Sequence, residues 1–533
     1  MKTFAFLLIS ILIAQFTCAQ DASIPKEVEN WLAQELKKGN VKELKEFQKD
    51  TFFRKDSVKI IGFIKGYDNN GSKNGMIYNE NLLTKEDFPT LIRIKSDGRF
   101  ETKIEINFPI YSYLNLLGQD VKFYAEPGNT VAMIINPKED KEPVKYLGIT
   151  KEINDELNSI KTNRPDHETL EGQIKSMKEE EFLKLTKTEW KNEKERVSQL
   201  LKKNKTSKKA QTIMLNEVDL NFMYRLFNYN MYKEYYAGQD KENKLLQTPT
   251  TAEYFNFIQE IDNNDYTYLI NREFTFTINR IEYSPFYPRM KYINGPNLYQ
   301  KIDSVGFTRY KNKELSLFYS IANLRAISSE LSKPIYFSDR TEKNIQDIKL
   351  NLKHPFLLSE LERKINIVKN SADGYDLPKT QSTEIFKKLL EPYKGKIVVV
   401  DFWAENCGPC RANIEATLEL RKHLIDHPHL EFVFITDKGN TSDTFYKEYI
   451  EKNYMTNSFL VSEDDYLAFR ELFRFNAIPR YVIVDPDGII KDDNFAMHNS
   501  QYLLNKYYPE KIKLEDFEIN KKDTFDSSVA MKH

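Results

Sequence analysis

The chain has 533 residues, a formal net charge of −1, 40% hydrophobic and 29% charged residues. So even a balance leaves no global field to recruit nucleic acid or an anionic membrane surface, and 18 glycines exclude a low-complexity or collagen-like chain. The length predicts about three or four domains, and three cysteines, Cys18, Cys407 and Cys410, are too few for a structural disulfide framework.

Residues 1–19 read as a secretory signal peptide. Lys2 supplies the positive start, Phe4 to Ile13 is an apolar core too short to cross a bilayer, and Thr17-Cys18-Ala19 offers small residues before a cut ahead of Gln20. The cut discards Cys18 and sends the mature chain to the periplasm or cell envelope. The alternative is a lipid on Cys18, a peripheral membrane tether. Lipidation favours Leu three residues before the cysteine and Gly or Ala just before it, where this chain has Gln15 and Thr17. No later segment reaches the roughly 18 apolar residues of a membrane helix.

Residues 20–55 are charged, with Trp31-Leu32, Leu36, Val41, Leu44 and Phe47 at helical spacing. Residues 56–138 predict a β-sandwich-like domain. Its clearest strand places Phe100, Thr102, Ile104, Ile106 and Phe108 on one face and Arg99, Glu101, Lys103, Glu105 and Asn107 on the other. Val58 to Ile64, Val121 to Tyr124 and Val131 to Ile135 are further strands, punctuated by turns at Ser96-Asp97-Gly98-Arg99 and Glu126-Pro127-Gly128-Asn129. Residues 139–370 read mainly as helix. Within them, the basic cluster Lys202 to Lys209 is expected as a solvated turn, and the aromatic run Phe222 to Tyr236 as core or as a groove for a partner or a sugar. Residues 371–383, opening with Ser-Ala-Asp-Gly, form a linker.

Residues 384–510 alternate strand and helix. Glu384 to Leu390 predicts a short helix, Ile397 to Phe402 a buried strand, and Ile414, Leu418 and Leu424-Ile425 one face of a helix. Leu430 to Thr436, Asn457 to Val461, Arg480 to Val484 and Ile489-Ile490 are extended pieces, with helices at 442–453, 463–473 and 500–508 and a turn at Asp485-Pro486-Asp487-Gly488. Residues 511–533 form a polar tail.

Between the buried strand and the helix stands Trp403-Ala404-Glu405-Asn406-Cys407-Gly408-Pro409-Cys410. A strand thus delivers Cys407 to a helix start, where unpaired N–H groups and the positive end of the dipole stabilise a thiolate. Cys410 lies one turn further and is placed to resolve a mixed disulfide. Pro409 in the first turn costs no hydrogen bond. Asp401 interrupts an apolar strand, so its carboxyl is expected buried, with a raised pKa.

Asp401 to Cys410 resembles the active-site segment of the thioredoxin superfamily, and the layout resembles the TlpA/ResA-like envelope thiol-disulfide oxidoreductases that carry a long N-terminal extension. The resemblance implies a multidomain protein: N-terminal β-sandwich, mainly α-helical middle, C-terminal α/β thioredoxin fold. By the same resemblance Asp401 exchanges a proton with Cys410, Trp403 packs beside the disulfide as one of the residues that meet a substrate, and Pro479 is the cis-proline that faces it. Ile478 then offers its backbone to a substrate chain, and Asn406, Gly408 and Pro409 form the surface a partner meets. The family commonly has a bulky residue in place of Asn406, and TlpA-like proteins often have Asn in place of Asp401. The Gly-Pro dipeptide matches the reducing thioredoxin type, so the implied substrates are oxidised envelope proteins and the implied electron donor is a membrane-embedded thiol reductase. No cofactor is implied.

Other chemistries fit less well. A zinc site needs four ligands, and only the two cysteines and the more distant His423, His427 and His429 are at hand. Peroxiredoxin chemistry favours Thr where Ala404 stands. A different class of reading remains open, in which the N-terminal half binds or scaffolds envelope machinery and the redox domain is subordinate.

Overall fold

The computed structural model describes residues 24–38, 46–139, 142–164, 166–251, 253–283, 316–332, 339–370 and 374–518. The expected signal segment, Cys18 and most of the C-terminal tail lie outside the described residues.

Eight strands make the N-terminal sheet: β1 (Asp56–Ile64), β2 (Asn74–Asn81), β3 (Glu86–Ile94), β4 (Arg99–Ile106), β5 (Ile110–Leu116), β6 (Gln119–Ala125), β7 (Thr130–Ile135) and β8 (Val144–Leu147). Their order is β6-β5-β2-β3-β4-β1-β7-β8. Pairing is antiparallel except between β1 and β7, which run parallel. The alternation in β4 turns Phe100, Ile104 and Ile106 into the core and leaves Glu101, Lys103 and Glu105 in solvent. Gly98 and Gly128 adopt the positive φ that their turns require, 86° and 84°. The expected sandwich is corrected here. One sheet curls on itself around a single apolar interior, and the Tyr146 hydroxyl of β8 donates to the Lys122 carbonyl of β6 across the closing edges. Sequence alternation says that a strand is half-buried; it does not say whether the facing apolar side belongs to a second sheet or to the same one. The helix Lys26–Lys38 covers the outside through Val28 and Leu32 against Ile61, Phe63, Ala132 and Ile134.

β2 and β3 pair with each other along their whole length. Their ladder pairs to the rest of the sheet are Met76 with Asn115, and Arg93 and Ile94 with Glu101 and Phe100, while Ile77 and Ile92 pack in the sheet's core. Beyond these pairs the turn end of the β2–β3 hairpin projects from the sheet.

The middle region packs its helices, chiefly Glu179–Lys203 and Lys208–Gln239, around one large core that also takes Leu82, Leu83, Phe108, Tyr111 and Tyr124 from the sheet domain. Phe222, Met223, Leu226, Phe227 and Tyr229 are buried in that core, whereas Tyr235 is exposed. The basic cluster is not wholly solvated. Lys209 and Glu126 form an ion pair at 2.5 Å with both side chains 3% exposed. A buried lysine is tolerated only when paired, and the partner is 83 residues away, beyond the reach of local reading.

The C-terminal sheet orders β9 (Ile397–Phe402), β10 (Leu430–Asp437), β11 (Ser458–Val461), β12 (Arg480–Val484) and β13 (Ile490–Asp492) as β11-β10-β9-β12-β13. β9, β10 and β11 are parallel, and β12 runs antiparallel to both β9 and β13. Within the expected linker, Tyr375 already pairs with Ile490, and Thr380 caps the helix Gln381–Leu390. The apolar core runs on past residue 510, since Ile512 and Phe517 are buried.

Candidate active site

β9 is buried at every residue. Val-rich, flanked by β10 and β12, it is the central strand whose C-terminal end carries the site. The Trp403 N–H makes a last bond to the Ile435 carbonyl at 3.1 Å, and the chain then turns so that the Cys407 N–H donates to the Ala404 carbonyl at 3.1 Å. Cys407 is the N-cap of the helix Gly408–Ala416, with φ −90° and ψ 93°, and its Sγ accepts from the Cys410 N–H at 3.2 Å. A sulfur in that position takes the place of the oxygen acceptor that usually caps a helix.

Cys407 and Cys410 are joined as a disulfide, Cα to Cα 5.3 Å. Cys407 is 9% exposed and Cys410 is fully enclosed. Cys407 thus keeps the small exposure of the pair, and Cys410 has none. Asn406, Gly408 and Pro409 are exposed around Cys407.

Asp401 lies in the middle of the sheet, opposite Phe434 on β10 and Tyr481 on β12, and is 2% exposed. Burial pushes its pKa up to about 8, opposed by the charge of Arg421. Its Oδ1 has no hydrogen-bond partner among the described residues. The burial and the upward shift are those expected of an acid inserted into an apolar strand.

Arg421 escaped the sequence reading. Its Nη1 donates to the Ile414 carbonyl at 2.7 Å and to Thr417 Oγ1 at 2.5 Å, and its Nη2 to the Asn453 carbonyl at 2.7 Å. The guanidinium lies 5.2 Å from the Phe434 ring, and burial lowers its pKa to about 10. A signal existed: Arg421 follows Ile414 by seven residues, two helical turns, so it falls on the apolar face. The helix itself breaks at Thr417 and resumes as Leu418–His423, leaving Ile425 exposed.

Trp403 is fully enclosed and stacks on Tyr449 with centroids 5.3 Å apart, in one cluster with both cysteines. This corrects its expected place among residues that touch a substrate: it supports the disulfide from beneath and has no surface to offer. Ile478 and Pro479 are half-buried, their peptide bond is cis, and Ile478 packs against the cysteine cluster. β12 starts at once, with Arg480 opposite Phe402, so Pro479 stands level with the end of β9. Among the described residues, no three His, Cys, Asp or Glu side chains gather as a metal site, and no helix is long and apolar enough to cross a membrane.

A family model described as thioredoxin-like matches residues 395–490. These residues form a thioredoxin-like domain within a longer chain. Solved structures similar to part of the chain include the thioredoxin domain of a thiol-disulfide oxidoreductase from Bacteroides vulgatus, 24% identical over 22% of this chain and 83% of that one, TM-score 0.20. A thiol:disulfide interchange protein from a Bacteroides species is 26% identical over 22% and 76%, TM-score 0.19. The exposed lipoprotein thioredoxin of Streptococcus pneumoniae is 22% identical over 22% and 89%, TM-score 0.19. No curated protein matches the chain. The matched segment contains the Cys-x-x-Cys pair, Cys407 and Cys410.

Proposed function

We propose that the protein is a thiol-disulfide oxidoreductase of the cell envelope that reduces disulfides in client proteins through Cys407 and Cys410. The observation that carries the reading is the asymmetry of the pair: Cys407 caps a helix start, keeps a small exposure and has exposed neighbours, whereas Cys410 is fully enclosed. The Cys407 thiolate attacks one sulfur of a client disulfide, giving a mixed disulfide and releasing the other client sulfur as a thiolate. Asp401, whose pKa stands at about 8, takes the proton of Cys410. The Cys410 thiolate then attacks Cys407 Sγ, the client leaves with both sulfurs reduced, and the Cys407–Cys410 disulfide closes. Two electrons have passed to the client.

The Gly408-Pro409 pair supports a reducing direction, since Cys-Gly-Pro-Cys thioredoxin sits near about −270 mV against about −120 mV for the oxidant DsbA. Turnover then needs a donor, for which a membrane-embedded thiol reductase is the fitting class. The test is reduction of insulin in the presence of dithiothreitol. The wild type accelerates it, and Cys407→Ser abolishes the acceleration. A measured potential above about −180 mV would assign an oxidising or isomerising role instead.

A further inference from the structure

The projecting β2–β3 hairpin does not end in solvent. It lies on the helix Glu463–Leu472 and on the loop that leads from that helix to Pro479. Met76 and Leu91 of the hairpin form a small core with Ala468. Glu471 accepts from the Leu91 N–H at 2.9 Å, and Asp464 from the Lys73 N–H at 3.2 Å.

One residue of the loop receives far more than a docking contact. Asn476, three positions before Pro479, is gripped through its main chain and its side chain at once. Its N–H donates to Asp87 Oδ2 at 2.9 Å. Its Nδ2 donates to Asp87 Oδ1 at 3.1 Å and to the Asn79 carbonyl at 3.0 Å. Its own carbonyl accepts from Arg470 Nη1 at 2.9 Å. Arg470 in turn lies 5.8 Å from the Tyr78 ring of β2. On the far side of Pro479, Arg480 Nη2 closes the loop onto the Phe473 carbonyl at 2.9 Å. Between these two clamps only Ala477, Ile478 and Pro479 are left, and Ile478 rests on the cysteine cluster.

We propose that the β2–β3 hairpin positions the client-binding loop of the redox domain: Asp87 and the Asn79 carbonyl fix Asn476 so that Ile478 and Pro479 present their backbone edge to an extended client polypeptide beside Cys407. The proposal rests on the redox reading above and adds to it a role for the N-terminal domain. Asp87 is a positioning residue. It touches neither sulfur, and it acts by holding a segment whose displacement misaligns the client disulfide with the attacking thiolate. A carboxylate that binds a main-chain N–H and the side chain of the same residue is a rigid, bidentate hold. Misplacement of a positioning element by about 1 Å is enough to cost on the order of a hundredfold in rate.

The experiment compares the full chain with Asp87→Ala, Asp87→Asn and Asp464→Asn. Insulin reduction gives KM and kcat, and iodoacetamide alkylation of the reduced protein gives the reactivity of Cys407 without the loop. The result expected is a rise in KM of about tenfold in Asp87→Ala, with the alkylation rate and the redox potential unchanged. Asp87→Asn keeps one acceptor oxygen and recovers part of the loss. Asp464→Asn, which touches the same docking face but not Asn476, leaves KM at the wild-type value. An unchanged KM in Asp87→Ala, an equal rise in Asp464→Asn, or a loss that tracks the alkylation rate would each overturn the proposal. Amide exchange gives a second readout: the Asn476 amide exchanges faster in Asp87→Asn while β9 and β12 stay as protected as in the wild type, and equal protection at Asn476 would count against the hold. A wild type that fails to reduce insulin would remove the redox reading itself, an outcome distinct from all of these.

Discussion

Asp401 costs the fold something. Its ordinary pKa in an unfolded chain is about 3.9, and in the folded protein it is raised to about 8. Between those two values the folded state keeps a proton that the unfolded state gives up, so stability falls as pH rises through this window and the penalty is absent below it. Asp401→Asn, compared in the disulfide form, is therefore expected to be more stable than the wild type at pH 8, by on the order of a few kcal/mol, with the two converging near pH 4. Urea midpoints at the two pH values check this; equal midpoints at pH 8 would contradict it. The same substitution is expected to slow the second half-reaction, since Cys410 loses its base. Arg421 works in the opposite sense on the same acid, drawing its pKa down. Arg421→Gln is expected to shift the pH midpoint of mixed-disulfide resolution to more alkaline values, measured by stopped-flow release of a labelled client. The variant also loses hydrogen bonds to the Ile414 and Asn453 carbonyls, each worth about 1.5–3 kcal/mol from a charged donor. Asp401 and the two cysteines were legible in the chain because each breaks a local pattern. Arg421 was passed over, because a charged residue in a helix ordinarily reads as solvent-facing and one of its two carbonyl partners, Asn453, lies 32 residues on.

Elements differ in how openly the chain announces them. β9 and the helix after it could be read at once, since an apolar run, a turn and a capped helix are adjacent in sequence. Strands β2, β3, β5 and β8 could not. β3 contains Pro89, which has no N–H for a ladder and belongs at an unpaired edge. It pairs with Tyr78 of β2 there, and on its other side β3 meets β4 only further along, at Arg93 and Ile94. The proline that hid the strand is also consistent with the hairpin projecting. β2, Asn-Gly-Met-Ile-Tyr-Asn-Glu-Asn, is polar at both ends and apolar in the middle, because one side faces the sheet domain and the other the redox domain. The basic cluster taught the reverse lesson, with Lys209 drawn into the interior by Glu126. Lys209→Met leaves Glu126 buried with one partner fewer and is expected to cost about 3–5 kcal/mol. Adding Glu126→Gln should restore a good part. Chemical denaturation of the single and double variants decides; a neutral Lys209→Met would show that the pair contributes nothing.

At the scale of the whole molecule, the three regions are not beads on a string. The large middle core draws residues from the sheet domain, and the hairpin contact of Met76, Leu91 and Ala468 joins the sheet domain to the redox domain. Ala468→Asp would place a carboxylate in that apolar contact. The expected outcome is undocking without unfolding: calorimetry shows the thioredoxin-like domain melting in a transition of its own, where the wild type melts it together with the sheet domain. A single unchanged transition would mean the contact carries no coupling. None of this cross-domain arrangement was legible in sequence, because Asp87 and Asn476 are 389 residues apart and nothing local marks either as a partner. The most direct test of the central claim, that Cys407 forms the covalent bond to a client, is to mix reduced Cys410→Ser with disulfide-bonded insulin and map the product by mass spectrometry. The account predicts one insulin chain bound through Cys407 and none in Cys407→Ser treated alike. Absence of the adduct, or equal capture through Cys410 in the second variant, would contradict it.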